Sequence, residues 1–264
     1  MTATTDLAAL HSRPVPPLGS FSGTLVKLEL RRLLRNRRTV IFTVVMPVIF
    51  FLLFGLNKSY ADQAVGRGNV AALIMISMAI YGAMIATTSV GASVSIERSQ
   101  GWSRQLRLTP LNPLAYVAAK LIVALLAGAV AIIAVYAAGL VTHKAHMPVS
   151  AWIAAGLIGW VGSLTFAAFG LFMGYLLPSE NVMQILGPVL ALLAILGGLW
   201  FPLDDDSVMG MIAKFTPMYG LAGLAHQPLV AGAFHISWLV NVVTWLVVFA
   251  AGAAWRFRKD TARV

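Results

Sequence analysis

Residues 97–113 read ERSQGWSRQLRLTPLNP, a basic, helix-compatible segment set between two very long apolar runs. The chemistry open to such a segment is recognition. Trp102, Leu106 and Leu108 offer apolar area to a partner's groove, while Arg98, Arg104 and Arg107 fix its orientation by charge. A solvated connection that follows the charge bias of membrane loops fits the same residues. Taken alone, the segment leaves both readings open.

Other residue types capable of chemistry are sparse. The histidines are His11, His143, His146, His226 and His235, all outside the long apolar runs. His143 and His146 form an H-x-x-H pair, but no acidic third ligand is close in sequence, so a metal site is not expected. Asp204, Asp205 and Asp206 read as a solvated stop to an apolar run rather than a cation site. The chain has no cysteine, which excludes disulfides and thiolate ligands. It also has no G-x-x-x-x-G-K-[ST] loop, so it is not expected to bind ATP in that way. Within the apolar runs there is no nucleophile with a base and no acidic or arginine side chain for a proton relay. What the runs do contain is hydroxyls and amides. Of these, Tyr81, Thr88, Ser95, Gln184 and Asn241 are the candidates to line a passage, although packing hydrogen bonds between helices use the same groups. A passage of that kind suits a hydrophobic or amphipathic compound.

The elements that must position these residues are membrane helices. Of the 264 residues, 59% are hydrophobic and 11% charged, and the mean hydropathy is +0.84. A water-soluble core of this length does not have that composition. Six stretches reach the roughly 20 apolar residues needed to cross a hydrocarbon core. They are Thr39 to Leu56, Val70 to Ile96, Leu114 to Val141, Ala151 to Leu177, Val182 to Leu203 and Ile236 to Trp255. With six spans both termini share a side, and that side collects fifteen of the nineteen Lys and Arg residues. The bias places both termini and the segment after span two in the cytoplasm. It also assigns the positive charge to topology and anionic lipid; no aromatic-interleaved basic platform for nucleic acid is present. Lys120, near a cytoplasmic end, is expected to snorkel.

Residues 1–21 are expected to be a disordered tail, and the first 38 residues do not read as a cleaved signal peptide. From residue 22 the pattern becomes an interfacial helix. Val26, Leu30, Leu33 and Leu34 share one face, and Lys27, Arg31, Arg35 and Arg38 line another. About 30 residues separate spans five and six. There Val208, Met211, Ile212 and Phe215 suggest one short helix, and Thr216 with Pro217 open a second. Too short to cross, the two are expected to form an external re-entrant hairpin. The small residues of span four, including the Gly170 and Gly174 spacing, permit close packing.

Six spans, the basic amphipathic N-terminal helix, E-R-x-x-G-W-x-R-Q-L-R-x-T-P-L after span two and L-G-G-L-W-F-P after span five together resemble the type-2 ATP-binding-cassette (ABC) exporter permeases. The branch they resemble most contains drug and antibiotic exporters, and the resemblance covers about residues 22–256, leaving 257–264 as a cytoplasmic tail. It implies an all-α integral membrane permease that pairs with a second permease, as homodimer or heterodimer, and with separate ABC ATPase subunits. ATP and Mg belong on those subunits and not on this chain, which is not itself catalytic. By motif, Glu97, Arg98, Gly101, Trp102, Arg104, Gln105, Leu106, Arg107, Thr109, Pro110 and Leu111 become the ATPase-coupling residues. Gly197, Gly198 and Pro202 mark the outer end of span five. Many members carry Thr where this chain has Trp102. The family also includes lipid and polysaccharide exporters, and an ion-driven carrier or a non-transporting scaffold remains open from the residues themselves.

Overall fold

The computed structural model describes residues 23–101, 113–201, 203 and 207–261. Its first helix, α1 (Gly23–Arg35), is short and amphipathic. Asn36 then leaves helical geometry and its side-chain oxygen accepts from the Thr39 amide at 3.3 Å, capping α2 (Arg37–Gly55), the first span. This break separates Arg38 from α1, so the expected basic face Lys27–Arg31–Arg35 is on α1 while Arg38 opens the span. Inside α2, residues Ile41–Val45 form a π-helical turn just ahead of Pro47. Proline has no N–H to give the Thr43 carbonyl, and the widened turn accommodates that missing bond.

A two-stranded antiparallel hairpin, β1 (Ala64–Val65) and β2 (Gly68–Asn69), precedes the central helix α3 (Val70–Ser99). The remaining spans are α4 (Pro113–Thr142), α5 (Val149–Leu176), α6 (Ser179–Leu196) and α9 (Ile236–Thr261), with the short α7 (Val208–Ala213) and α8 (Pro217–Val230) between the last two. All six spans expected from the sequence are present as helices long and apolar enough to cross a membrane. The fifth differs in extent. It ends at Leu196 rather than Leu203, because Gly198 takes a left-handed φ of 74° and the Leu199 amide returns to the Ala194 carbonyl at 3.0 Å. That pattern is a helix-terminating cap. The sixth helix runs on to Thr261, so part of the expected tail is helical.

The core forms around α3, the most enclosed of the spans, which packs on α2, α4, α5 and α8. Its crossing with α5 depends on small residues. A Cβ on Gly170 would lie 2.3 Å from the Thr88 carbonyl oxygen, and one on Gly91 would lie 2.6 Å from that of Ala167. The two backbones therefore touch directly, as the glycine spacing of span four allows.

The linker between α6 and α9 folds back along the helical bundle. Near its start Trp200 packs edge-on against Tyr81 at 5.0 Å, eleven residues into α3. Leu221 of α8 sits against Gly162, in the middle of α5, whereas Leu229 and Val230 reach the hairpin at the helical bundle's far end, opposite the basic one. Thus α8 starts within the depth of the helical bundle and climbs back out. The expected order at Thr216 and Pro217 holds, with Thr216 at the N-cap, but its hydroxyl donates backwards to Ala213 at 2.8 Å instead of capping. On α7, Val208, Met211 and Ile212 are exposed, as is Phe215 just beyond it. Their shared face is turned away from this chain's own core.

Gly170→Val should cost about 3 kcal/mol or more, because the obstacle is backbone and cannot repack. Gly187→Ala, where nothing lies within 4 Å of the added methyl, should leave stability unchanged or slightly raised. Thermal unfolding of the two variants in detergent checks the contrast.

Candidate coupling site

The segment singled out by sequence runs out of α3 and into α4, and the last turn of α3 carries its first two candidate residues. Glu97 is 2% exposed. A carboxylate there is tolerated only if it is paired and its lone pairs are satisfied. Four groups do this. Lys120 of α4 lies 2.5 Å from Oε1, Arg32 of α1 and the Ser93 hydroxyl each donate to the same oxygen at 3.3 Å, and the Tyr116 hydroxyl of α4 donates to Oε2.

Lys120 is equally buried, at 2%, which corrects the expectation that it snorkels. Its ammonium has three donors, and three acceptors surround it: Glu97, Glu29 of α1 at 2.8 Å and Ser93 at 3.3 Å. With every donor used and a carboxylate on two sides, there is no gain in reaching for the membrane surface. The assembly holds two acids and two bases and is formally neutral. It joins α1, α3 and α4.

The neighbouring residues tie α3 to the opposite side. Ser95 donates to the Leu177 carbonyl at 2.9 Å, and Arg98 donates to the carbonyls of Gly174 and Tyr175 at 3.3 and 3.0 Å. These are helix-end carbonyls of α5, where positive charge is also favoured by the helix dipole. Tyr175 in turn stacks edge-on against Phe257 of α9 at 5.7 Å. One turn of α3 thus holds α1, α4 and α5 directly, and α9 through Tyr175.

Glu97 and Arg98 accordingly face into the helical bundle. Gly101, with φ of 74°, turns the chain out of α3. Trp102, Arg104, Gln105, Leu106, Arg107, Thr109, Pro110 and Leu111 lie outside the described residues. Lys27, Arg31 and Arg35 on α1, and Arg38 on α2, are exposed. Sequence reasoning missed Glu29, Arg32, Ser93 and Tyr116. A signal was available: Glu29 is the one acid between residues 7 and 61, and Lys120 is a lone base in an apolar run.

The candidate passage residues are not brought together. Thr88 donates to Phe166 at 3.2 Å, and Ser95 is committed to Leu177. Asn241 accepts from the Gly220 amide and donates to the Lys214 and Thr216 carbonyls, fixing the base of α8 on α9. Gln184 is exposed on α6. Tyr81 meets Trp200, whose buried indole N–H has no partner among the described residues. Beside α8, an apolar groove of 310 Å³ is lined by Leu157, Val161, Leu221, Leu224, Leu239 and Val242, with Ile158 and Gly162 completing it.

Six spanning helices with a charged hub buried at one end define a multi-pass membrane protein. The family model for the ABC-2 type transporter matches residues 22–227, and the chain belongs to that family. It is also similar to a Bacillus subtilis (strain 168) protein named "Putative transport permease YvfS", with 26% identity over 238 residues covering 89% of this chain and 96% of the relative. The family suggested by the loop and span-five motifs is the one found. This is a membrane transport permease, a subunit that is not itself catalytic, and its family implies an ABC ATPase partner in general.

Lys120→Met should be the most damaging change in the hub, costing about 3–5 kcal/mol, since it leaves Glu29 and Glu97 facing each other without their shared base. Glu97→Gln should cost less, because Lys120 keeps Glu29. Adding Glu97→Gln to Lys120→Met should recover part of the loss, which a double-mutant cycle of unfolding in lipid nanodiscs would measure.

Proposed function

We propose that this permease works in an ATP-driven exporter, paired with a second permease and driven by separate ABC ATPase subunits, and that it moves a hydrophobic or amphipathic compound out of the cell. The observation that carries the proposal is the anchoring of residues 102–112 at both ends. Glu97 and Arg98 hold the segment's start, Tyr116 and Lys120 hold its exit, and all four are bonded within the helical bundle. A force delivered to these two helix ends is taken up by groups bonded within the helical bundle. It passes to α1, α4 and α5 together and rocks the subunit as one body. Glu97 and Arg98 are then the inner anchors of coupling, and Trp102, Arg104, Leu106 and Arg107 its contact surface.

Both termini and this end are assigned to the cytoplasm by the bias of Lys and Arg. The substrate class follows from what lines the spans. The groove beside α8 is lined by apolar residues. Such a lining suits a drug, antibiotic or lipid-like molecule with a long apolar body.

Trp102→Ala should weaken ATPase capture by about 2 kcal/mol or more while leaving expression intact. Export and ATPase co-purification measured side by side check this, and normal values for both would remove the coupling role. Changing Arg31, Arg35 and Arg38 together to Gln should reduce ATPase docking, attachment to anionic lipid, or both. Pull-down in detergent separates the two, because detergent removes the bilayer and retains the protein partner.

A further inference from the structure

The far end of the helical bundle holds a polar assembly that the coupling mechanism does not use. Helix α8 ends there with its last carbonyls exposed by the usual end effect. The Ala231 amide, in left-handed geometry, closes on the Gln227 carbonyl at 2.8 Å. The next two carbonyls are taken by one residue of the β-hairpin. Arg67 donates from its guanidinium to Pro228 at 2.5 Å and from its backbone amide to Leu229 at 2.8 Å. The approach is close enough that Gly66, at φ of 55°, could carry no side chain: a Cβ there would fall 2.4 Å from the Leu229 oxygen. One turn further down α8, His226 shares a hydrogen bond of 2.9 Å with Ser77 of α3.

The hairpin is itself fixed. Asn69 caps α3 by accepting from the Ala72 amide at 3.0 Å, and it bonds the α4–α5 connection through the Lys144 carbonyl at 2.7 Å and the His146 amide at 3.0 Å. The hairpin therefore moves with α3, α4 and α5, helices that the hub and the Ser95 and Arg98 bonds also join at the other end. Helix α8 packs its apolar face on α5, α3 and α9, and Asn241 fastens its base to α9. The only polar links described between α8 and the α3 group are those of Arg67 and the His226–Ser77 pair.

From this arrangement we infer that Arg67 is a latch: it holds α8 seated against α3 while the outer end of the passage is closed, and releases the Pro228 and Leu229 carbonyls when α8 alone tips away from α3 as the subunit rocks. The inference rests on the transport mechanism proposed above. Arg67 suits reversible use because its side chain is exposed, so water replaces the carbonyls as it lets go. Arg67 is a positioning residue and need touch no substrate.

The test uses the chain's lack of cysteine. Ala225 of α8 is 0% exposed, so Ala225→Cys reports whether the helix is seated; Ala222→Cys, also buried on α8, serves as a second reporter. The permease with its co-purified ATPase is placed in liposomes and treated with a membrane-impermeant maleimide, with and without ATP. With Arg67 present, labelling should be slow at rest and rise on ATP addition. Arg67→Ala should raise the resting rate about tenfold, toward the ATP level, and Arg67→Lys should restore part of the difference. A merely structural Arg67 would loosen both states alike and leave the ATP response intact. If Arg67→Ala leaves resting labelling unchanged at both reporters, or if ATP is hydrolysed without changing labelling in either protein, the latch is overturned. If no ATPase can be captured, the transport mechanism falls first and the latch falls with it.

Discussion

A charge buried among membrane helices must be neutralised where it sits, and this requirement organises the basic end of the protein. Lys120 cannot reach water, so it fixes Glu97 and Glu29, and through them Arg32, Ser93 and Tyr116. Pairs of this kind add little net stability relative to apolar packing, since desolvation offsets most of the attraction. Their value is geometric. A hydrogen-bonded charge has one acceptable position, whereas apolar side chains tolerate small slips. The helices meeting at the hub are thereby held in one register, next to the segment through which the permease is expected to be driven.

The two ends of the helical bundle use different fastenings. At the basic end the bonds centre on the buried Glu97 and Lys120 and are charge-to-charge, and at the far end an arginine meets neutral backbone carbonyls. Between them the α3–α5 crossing is closed by direct backbone contact at Gly91 and Gly170. A subunit made this way has a stiff centre, and the margin proposed to move falls along α8, which borders the apolar groove.

Much of this was legible in the sequence. Long apolar runs with charge confined to their ends specify spans whatever their partners, and Thr216-Pro217 marks a helix start by local chemistry alone. The early stop of span five was half visible: Gly197 and Gly198 were recognised, but the following Leu199, Trp200 and Phe201 are apolar and prolong the hydropathy signal past the real end. Lys120 was misread because hydropathy treats each residue alone, while its burial depends on Glu29, ninety-one positions earlier. The hairpin was missed because two-residue strands carry no periodicity. The candidate passage residues failed to converge for a similar reason: hydroxyls serve packing and lining equally, and only the partner's position decides between them.

The hub also constrains the order in which the chain can be made. Ribosomes deliver α1 first, then α3, then α4, so Glu29 and Glu97 are already in place when Lys120 arrives. The lone ammonium of the third span enters the bilayer toward two waiting carboxylates and is never required to cross into lipid unaccompanied. With both acids ahead of the base, spans two and three can pair as they are delivered, and the ammonium has no counter-charge to wait for.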